Sequence, residues 1–374
     1  MRKLFKMILY IICGIIVTIV IIATLFLNLN PEFGGELSNS DTDRFSLVDN
    51  YTDGKFQNQT PTSLEMSLPE GVGVMIEFVK GVKNDKPNKS IETLTIDSLD
   101  IGSDSSRITW LGHSTFLLEL DGKNILLDPM FSPIPSPIPL MGTKRYSDTL
   151  PIDIANLPFI DIVLISHNHF DHLDYKSIIK LKDKVGKFYT PLGVKSHLLA
   201  WGVESSKIIE LNWWEESVDS NFTFVCTPSR HFSGRGIFDR YSTLWASWVI
   251  KTKSASIYFS GDSGYGPHFK EIGNKYGPFD IALLECGQYD PKWADIHMMP
   301  EETVQAAKDV NATLLLPIHW GAFTLSLHSW TDPIERVTKE AQRLGQSITT
   351  PQIGEPVYLD SLVYPRSTWW EVYK

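Results

Sequence analysis

The chain has 374 residues, 43% hydrophobic and 21% charged, the balance of a folded protein rather than a disordered one. Its formal charge of −10 argues against a nucleic-acid backbone as the main partner, because phosphate tracking needs a basic footprint. Cys13, Cys226 and Cys286 form no C-x-x-C pair, so they make neither a disulfide framework nor a thiolate zinc site.

The first element is apolar. Met7 to Leu29 carries no charge, and only Thr18, Thr24 and Asn28 are clearly polar. As a helix it would span about 30 Å or slightly more, enough to cross a bilayer core. Arg2, Lys3 and Lys6 precede it, whereas Glu32, Glu36, Asp41 and Asp43 come after it and before the first basic residue, Arg44. This asymmetry predicts a single-pass anchor at residues 1–30, with the N-terminus cytoplasmic and the remaining chain extracytoplasmic. A cleaved signal peptide is the rival, but its apolar region is normally about 7–15 residues long and ends in a small-residue site. No clear A-x-A stands here.

Residues 31–104 read as a polar connector and N-terminal extension. "NPEFGGELSNSDTD" is turn-rich and acidic, and no strong helical period appears before Arg107. Short apolar pieces such as "GVGVMIEFVKGV" are candidates to pack on the main domain. From there, residues 105–374 read as one domain. Strands are expected at "RITWL", "STFLLEL" and "KNILLD", the last two joined by Asp121-Gly122, a strong hairpin signal. Further strands are expected at 161–166, 221–227, 247–252, 256–260, 280–285 and 313–318. Helical patterns lie between several of them: "YKSIIKLKDKV", "PEETVQAAKDV" with its proline and acids at the start, and "IERVTKEAQRLG" with its terminal glycine. Strands interleaved with helices make an α/β layered domain.

The strand at 161–166 runs into "SHNHFDHLD", with His167, His169, Asp171 and His172 in a spacing that suits a loop curled around metal rather than one helix face. One loop of four donors could hold a structural zinc, so partners at other strand ends decide the matter. There are three: His231 after "NFTFVCTPSR", Asp262 after "SIYFSG" and His319 after "TLLLPI". Singly, each has a bland reading as a hydrogen-bonded structural histidine or a turn cap. Together they indicate a metal centre.

The order H-x-H-x-D-H, then His, Asp and His, resembles the metallo-β-lactamase fold superfamily over about 105–365. The resemblance implies a four-layer αββα sandwich with the site at one edge of both sheets. It implies that His167, His169 and His231 bind one divalent ion, that Asp171, His172 and His319 bind a second, and that Asp262 bridges them. Nitrogen and oxygen donors favour Zn2+, with iron or manganese as alternatives. Two ions about 3.5–4 Å apart can share a water, lower its pKa towards 7 and stabilise a leaving oxygen. Asp128, in "LLDPMFS", resembles the buried acid that hydrogen-bonds a ligand histidine; its other reading is a strand-end turn before Pro129. His113 is expected behind the ligands, and His197, His268 and His328 are expected to be structural.

Further along, "TWLGHSTFLLELDG", "GDSGYGPHFKEIGNKYGPFDIALL", "MMPEETVQ" and "PIHWGAFTL" resemble the bacterial branch of N-acylphosphatidylethanolamine-hydrolysing phospholipase D. "YTDGKFQN" is similar to that branch's N-terminal segment, whereas "GTKRY" at 142–146 departs from it by lacking a proline after the glycine. The resemblance implies a membrane phospholipid substrate, no nucleic acid, and cleavage to phosphatidate and an N-acylethanolamine. It also implies a role for His297, in "ADIHMMPEE", near the leaving alkoxide or the phosphate. A helix-start hydrogen bond is the competing reading of His297.

The anchor leans the same way, because it concentrates the domain at a bilayer. So do the exposed-loop candidate "FSPIPSPIPLMG" and the tryptophans Trp213, Trp214, Trp245 and Trp248, if these sit at an interface rather than in the core. Rival functions are a phosphorylated-sugar lactonase or other small-molecule hydrolase, a nuclease, and a catalytically silent membrane-anchored binding protein. The last predicts a lost ligand, and none of the seven is missing.

Overall fold

The protein's structure is a computed structural model that describes residues 2–63, 66–98, 101–102, 106–140 and 142–374. The domain boundary expected at 104–105 lies outside the described residues, as does Met141 of the proline-rich loop.

Helix α1 (Arg2–Leu29) contains the apolar run and buries none of its residues. It is long and apolar enough to cross a membrane. Next come α2 (Asn39–Phe45), a hairpin of β1 (Tyr51–Thr52) and β2 (Lys55–Phe56), and α3 (Leu68–Lys80). Both helices stand where no helical period was expected. Each begins with a reciprocal cap: Ser38 with Asp41 in α2, and Ser67 with Glu70 in α3. Only Phe45 is buried in α2 and nothing is buried in α3, so neither carries an inward apolar repeat to read.

From Arg107 the chain runs through β3 (Arg107–Gly112), β4 (Thr115–Leu120), β5 (Lys123–Leu127) and β6 (Ile160–Leu164) to α4 (Tyr175–Leu181). The β4–β5 turn places Asp121 and Gly122 at φ 46° and 76°, the left-handed pair that an Asp-Gly hairpin adopts. Asp174 caps α4 by accepting from Ser177 N. The helical pattern expected up to residue 185 stops at Leu181, and Val185 instead opens β7 (Val185–Pro191). Then come α5 (Lys195–Ala200), β8 (Ile208–Leu211), β9 (Glu216–Asp219), β10 (Phe222–Thr227), β11 (Ser247–Lys251) and β12 (Ser256–Phe259). The chain closes with α6 (His268–Tyr276), β13 (Phe279–Glu285), α7 (Pro300–Asp309), β14 (Ala312–Ile318), α8 (Asp332–Leu344) and β15 (Pro356–Tyr358).

Two mixed sheets result. One has the order β15-β3-β4-β5-β6-β7-β8 and the other β14-β13-β12-β11-β10-β9. They face each other: the Tyr189 and Phe224 rings lie 4.7 Å apart, and Trp248 Nε1 donates to Ile165 O at 2.9 Å. Trp110, Phe116 and Leu118 project into this shared core, whereas Leu117, Val163 and Phe188 pack with Ile178 of α4 and Leu198 of α5 on the outer face. Helix α7 packs on β13 and β14 with α6 and α8 beside it, giving helix–sheet–sheet–helix layers. Every residue of β4 is buried, as expected for a strand covered on both faces. Trp213, Trp245 and Trp248 lie in the core rather than at an exposed interface, and Trp214 is half-buried against it.

Candidate metal centre

The parallel directions of β3, β5, β6, β12, β13 and β14 bring their C-terminal ends to one edge of the sandwich. His113, Asp128, the 167–172 loop, Asp262 and His319 come directly after these ends, and His231 comes after β10. Three of these residues leave their strands in the left-handed region, His113 at φ 55°, Asp128 at 37° and His319 at 64°. Such backbone costs about 1–3 kcal/mol per residue and persists where the surroundings dictate it. Gly261, at φ 55°, must lack a side chain: a Cβ there would lie 2.6 Å from Ser166 Cβ.

The donors converge in three overlapping groups, of which two hold all seven expected donors with His113, and the third joins Asp262, Glu285, His297 and His319. His167, His169, His231 and Asp262 each offer an atom within 4.8 Å of the others, and so do His113, Asp171, His172 and His319. His169 Nδ1 lies 2.8 Å from His167 Nε2 and 3.2 Å from His231 Nε2. Asp262 stands between the groups. Its Oδ2 is 3.9 Å from His167 Nε2, 3.8 Å from His231 Nε2 and 3.1 Å from His172 Nε2, and its Oδ1 is 3.3 Å from His319 Nδ1. His172 Nε2 and Asp262 Oδ1 are buried yet find no hydrogen-bond partner of good geometry among the described residues. Unpaired buried donors and acceptors of this kind are costly, and a divalent cation held by them would remove the cost.

Behind the donors, a hydrogen-bonded shell fixes ring orientation. Asp128 Oδ2 accepts from His172 Nδ1 at 2.7 Å, while Asp128 Oδ1 accepts from Ser166 N at 2.7 Å. Ile296 O accepts from His231 Nδ1 at 3.0 Å, which leaves Nε2 facing the cluster. His113 Nε2 lies 2.8 Å from Asp171 Oδ2, so it touches the second group directly as well as backing it. Electrostatics polarise the cluster. Burial pushes His169 down to about 3 and His113 down to about 4. Burial opposes charge on His172 as well, but the Asp262, Asp171 and Asp128 carboxylates outweigh it and hold its pKa well above the usual value. Burial raises Asp262 to about 6 against the pull of His172.

His297 stands at the same edge, its ring 5.1 Å from that of His231 and 5.3 Å from that of His319. The helix-start reading of His297 fails, because its partner is not in α7. Its Nδ1 lies 2.7 Å from Oε2 of Glu285, the last residue of β13, whose Oε1 accepts from Met298 N at 2.7 Å. Glu285 was missed in the sequence, where it reads as the polar end of an apolar strand. In the structure it is fully buried, and burial holds its carboxyl well above the usual range. His197, His268 and His328 are not among the converging donors: His197 pairs with Gly35 N and with Asn168 Nδ2 of the metal loop, His268 with Ser263 Oγ and His328 with Gln288 N.

A cavity of about 390 Å³ opens over His169, Asp171, Asp262 and His297, walled by Phe78, Phe232, Trp293 and Leu325. Met66 and Arg240 line both it and an adjoining cavity of about 980 Å³. The Arg240 guanidinium stacks over the Phe232 ring at 4.6 Å. The arrangement is therefore a rigid set of nitrogen and oxygen donors under a half-apolar cleft with one cation at its mouth.

Residues 123–320 match a family model described as the beta-lactamase superfamily domain. An uncharacterised protein of Mycobacterium tuberculosis is 39% identical over 313 residues, covering 82% of this chain and 84% of that protein. The N-acyl-phosphatidylethanolamine-hydrolyzing phospholipase D 1 of Caenorhabditis elegans is 35% identical over 249 residues, covering 63% of this chain and 69% of that protein. Among solved structures, a metallo hydrolase from the hyperthermophilic archaeon Ignicoccus hospitalis shares the fold with a TM-score of 0.52 at 23% identity, covering 68% of this chain and 97% of that one.

Proposed function

The chain belongs to the beta-lactamase superfamily and is a metallo-hydrolase of it, and from that premise we propose that it is a membrane-anchored phosphodiesterase of phospholipase D type. Its substrate in this reading is an N-acylphosphatidylethanolamine-like phospholipid, split to phosphatidate and an N-acylethanolamine. The similarity to the Caenorhabditis elegans phospholipase D supports the substrate class, and the apolar walls of the cleft are compatible with a lipid beside the metal centre. The anchor α1 supports a membrane location, with the catalytic domain on the extracytoplasmic side by the charge asymmetry around it.

In this proposal His167, His169 and His231 hold one divalent ion, Asp171, His172 and His319 hold the other, and Asp262 faces both; Zn2+ suits the donor set. When bound, two such ions supply an activated water and stabilise the leaving oxygen of a phosphodiester. The protein residues do the rest. His113 orients Asp171, and Asp128 orients His172, so neither ligand swings away when the cleft fills. Glu285 holds His297 with its Nε2 free to hydrogen-bond the departing alkoxide or a phosphate oxygen. Arg240 presents its guanidinium, which makes no ion pair among the described residues, to the anionic headgroup entering the cleft.

The observation that carries the reading is Asp262, whose Oδ2 lies 3.8–3.9 Å from His231 and His167 of the first group and 3.1 Å from His172 of the second, where Oδ1 also faces His319. Metal analysis of the detergent-solubilised chain should find two divalent ions, and Asp262→Asn should bind less metal and lose at least about 10³-fold in turnover of bis-p-nitrophenyl phosphate. A fully active variant would remove Asp262 from the centre. Lactone turnover without phosphodiesterase activity would favour the small-molecule hydrolase instead.

A further inference from the structure

We infer that α3 is an interfacial helix that lies in the surface of the bilayer crossed by α1 and holds the mouth of the metal cleft against the lipid. The inference rests on the membrane-anchored reading above and deepens it by assigning the surface that meets the membrane.

Helix α3 is amphipathic in the wrong sense for a water-soluble surface. Leu68, Val72, Met75, Ile76 and Val79 recur at i, i+4, i+7, i+8 and i+11, which gathers them within an arc of about 100°. Their exposures are 87%, 52%, 64%, 47% and 85%, so the apolar stripe faces outward. The other side contacts the protein: Phe78 stacks on Trp293 with ring centroids 6.4 Å apart, and Glu77 pairs with Lys292 at 2.8 Å. A soluble helix turns its stripe to the core, whereas an interfacial helix buries it about 5–10 Å into the headgroup and acyl boundary. The reciprocal cap at Ser67 and Glu70 keeps α3 helical without core contacts.

The same segment borders the cleft, because Met66 and Phe78 line it with His169 and Asp171. The foot of α1 is bound to the opposite side of that metal loop. Arg235 donates through Nη1 to Asn168 O at 2.7 Å and to Leu173 O at 2.8 Å, and through Nη2 to Glu32 O at 2.6 Å. The Phe33 and Phe170 rings meet at 6.0 Å, and Trp201 Nε1 donates to Pro31 O at 2.7 Å. Three residues after the span ends, the chain is therefore fastened to the loop that carries His167 to His172. Ile237 and Phe238 are 68% and 92% exposed and share a cavity with Leu27 and Asn28 of α1. The 236–240 loop thus reaches from the cavity beside the span to the metal cleft that Met66 and Phe78 border, because Asp239 lines the first and Arg240 the second. A bilayer is the occupant that α1 itself brings to that place; a second copy of the chain is the alternative.

The test uses the full chain in phosphatidylcholine–phosphatidylglycerol vesicles. Val79→Cys, in a Cys13→Ser background where Cys226 and Cys286 are buried, carries a nitroxide. Ile16→Cys in α1 and Lys339→Cys on exposed α8 serve as lipid and water references. The inference expects the Val79 label to be reached by oxygen in preference to a water-soluble nickel chelate, as at Ile16. Accessibility like that at Lys339 overturns it, and so does dipolar broadening that grows with the protein-to-lipid ratio, which would place a second copy on the stripe. These readings need no catalysis, so they stand even if the phospholipase reading fails. As a second arm, Val72→Ser/Met75→Ser/Val79→Ser should lower hydrolysis of vesicle phospholipid about tenfold while bis-p-nitrophenyl phosphate turnover is unchanged. Vesicle hydrolysis at the parent rate overturns the inference.

Discussion

Glu285 shows how much a single buried acid can decide. It ends β13 with its side chain fully buried, and it is tied to His297 Nδ1 and Met298 N at once. Burial pushes its carboxyl pKa well above the usual range, which favours the neutral form. Glu285→Gln, which keeps shape and neutrality, should therefore change stability by no more than about 1 kcal/mol. Glu285→Ala leaves both partners unpaired in a dry interior and should cost about 1–3 kcal/mol in denaturant unfolding. If the two variants are equally destabilised, the charged form holds the contact instead. A role in orienting His297 adds a kinetic signature. Glu285→Ala should slow hydrolysis of alkyl phosphodiesters far more than that of bis-p-nitrophenyl phosphate, whose leaving group needs no help.

At the scale of elements, the strands place the chemistry and the turns after them aim it. Gly261, which precedes Asp262, sits at φ 55° with Ser166 Cβ 2.6 Å from where its own Cβ would be. Gly261→Ala should move Asp262 away from His172, lower the thermal midpoint by an amount equivalent to about 2–3 kcal/mol and reduce bound metal. Unchanged metal content at unchanged stability would show that the turn has slack. The strands at 107–127 and those ending at residues 164, 227, 259, 285 and 318 were legible because each is a short apolar run closed by polar or glycine residues. Their ends in turn made His167, His231, Asp262 and His319 readable as a set. The start of β7 was not, since "VGKFYTP" continues an apparent helical repeat and only its pairing with β6 makes it a strand. β8 and β9 are four residues each, too short for a period to show. Glu285 was hidden because a carboxylate at a strand end reads as solvated, and only the packing of His297 and Met298 over it reveals otherwise. Helix α3 was hidden because Gly71 and Gly73 lower its helix propensity and Val74 and Phe78 lie off the stripe, so its apolar residues read as loose pieces rather than as a helix face.

On the scale of the whole molecule, the apolar helix, a clamp and the hydrolase edge are joined, and in the proposed reading they are oriented together at a membrane. The clamp is Arg235, buried and bonded both to the metal loop and to Glu32 O just after the span. The proposed orientation across a bilayer rests on Arg2, Lys3 and Lys6 before the apolar run and acids after it. A bacterial alkaline phosphatase fused after Lys374 should therefore be active, because that reporter folds only outside the cytoplasm, and a green fluorescent protein fused at the same place should stay dark when exported unfolded. The reverse pattern would put the metal centre on the cytoplasmic side. The central claim is chemical, and one measurement addresses it directly: turnover of N-acylphosphatidylethanolamine vesicles by the full chain in oxygen-18 water. Cleavage of phospholipase D type predicts phosphatidate carrying one heavy oxygen on phosphorus and an unlabelled N-acylethanolamine, with both lost in Asp262→Asn. Labelled free fatty acid, or label in the N-acylethanolamine, would contradict it.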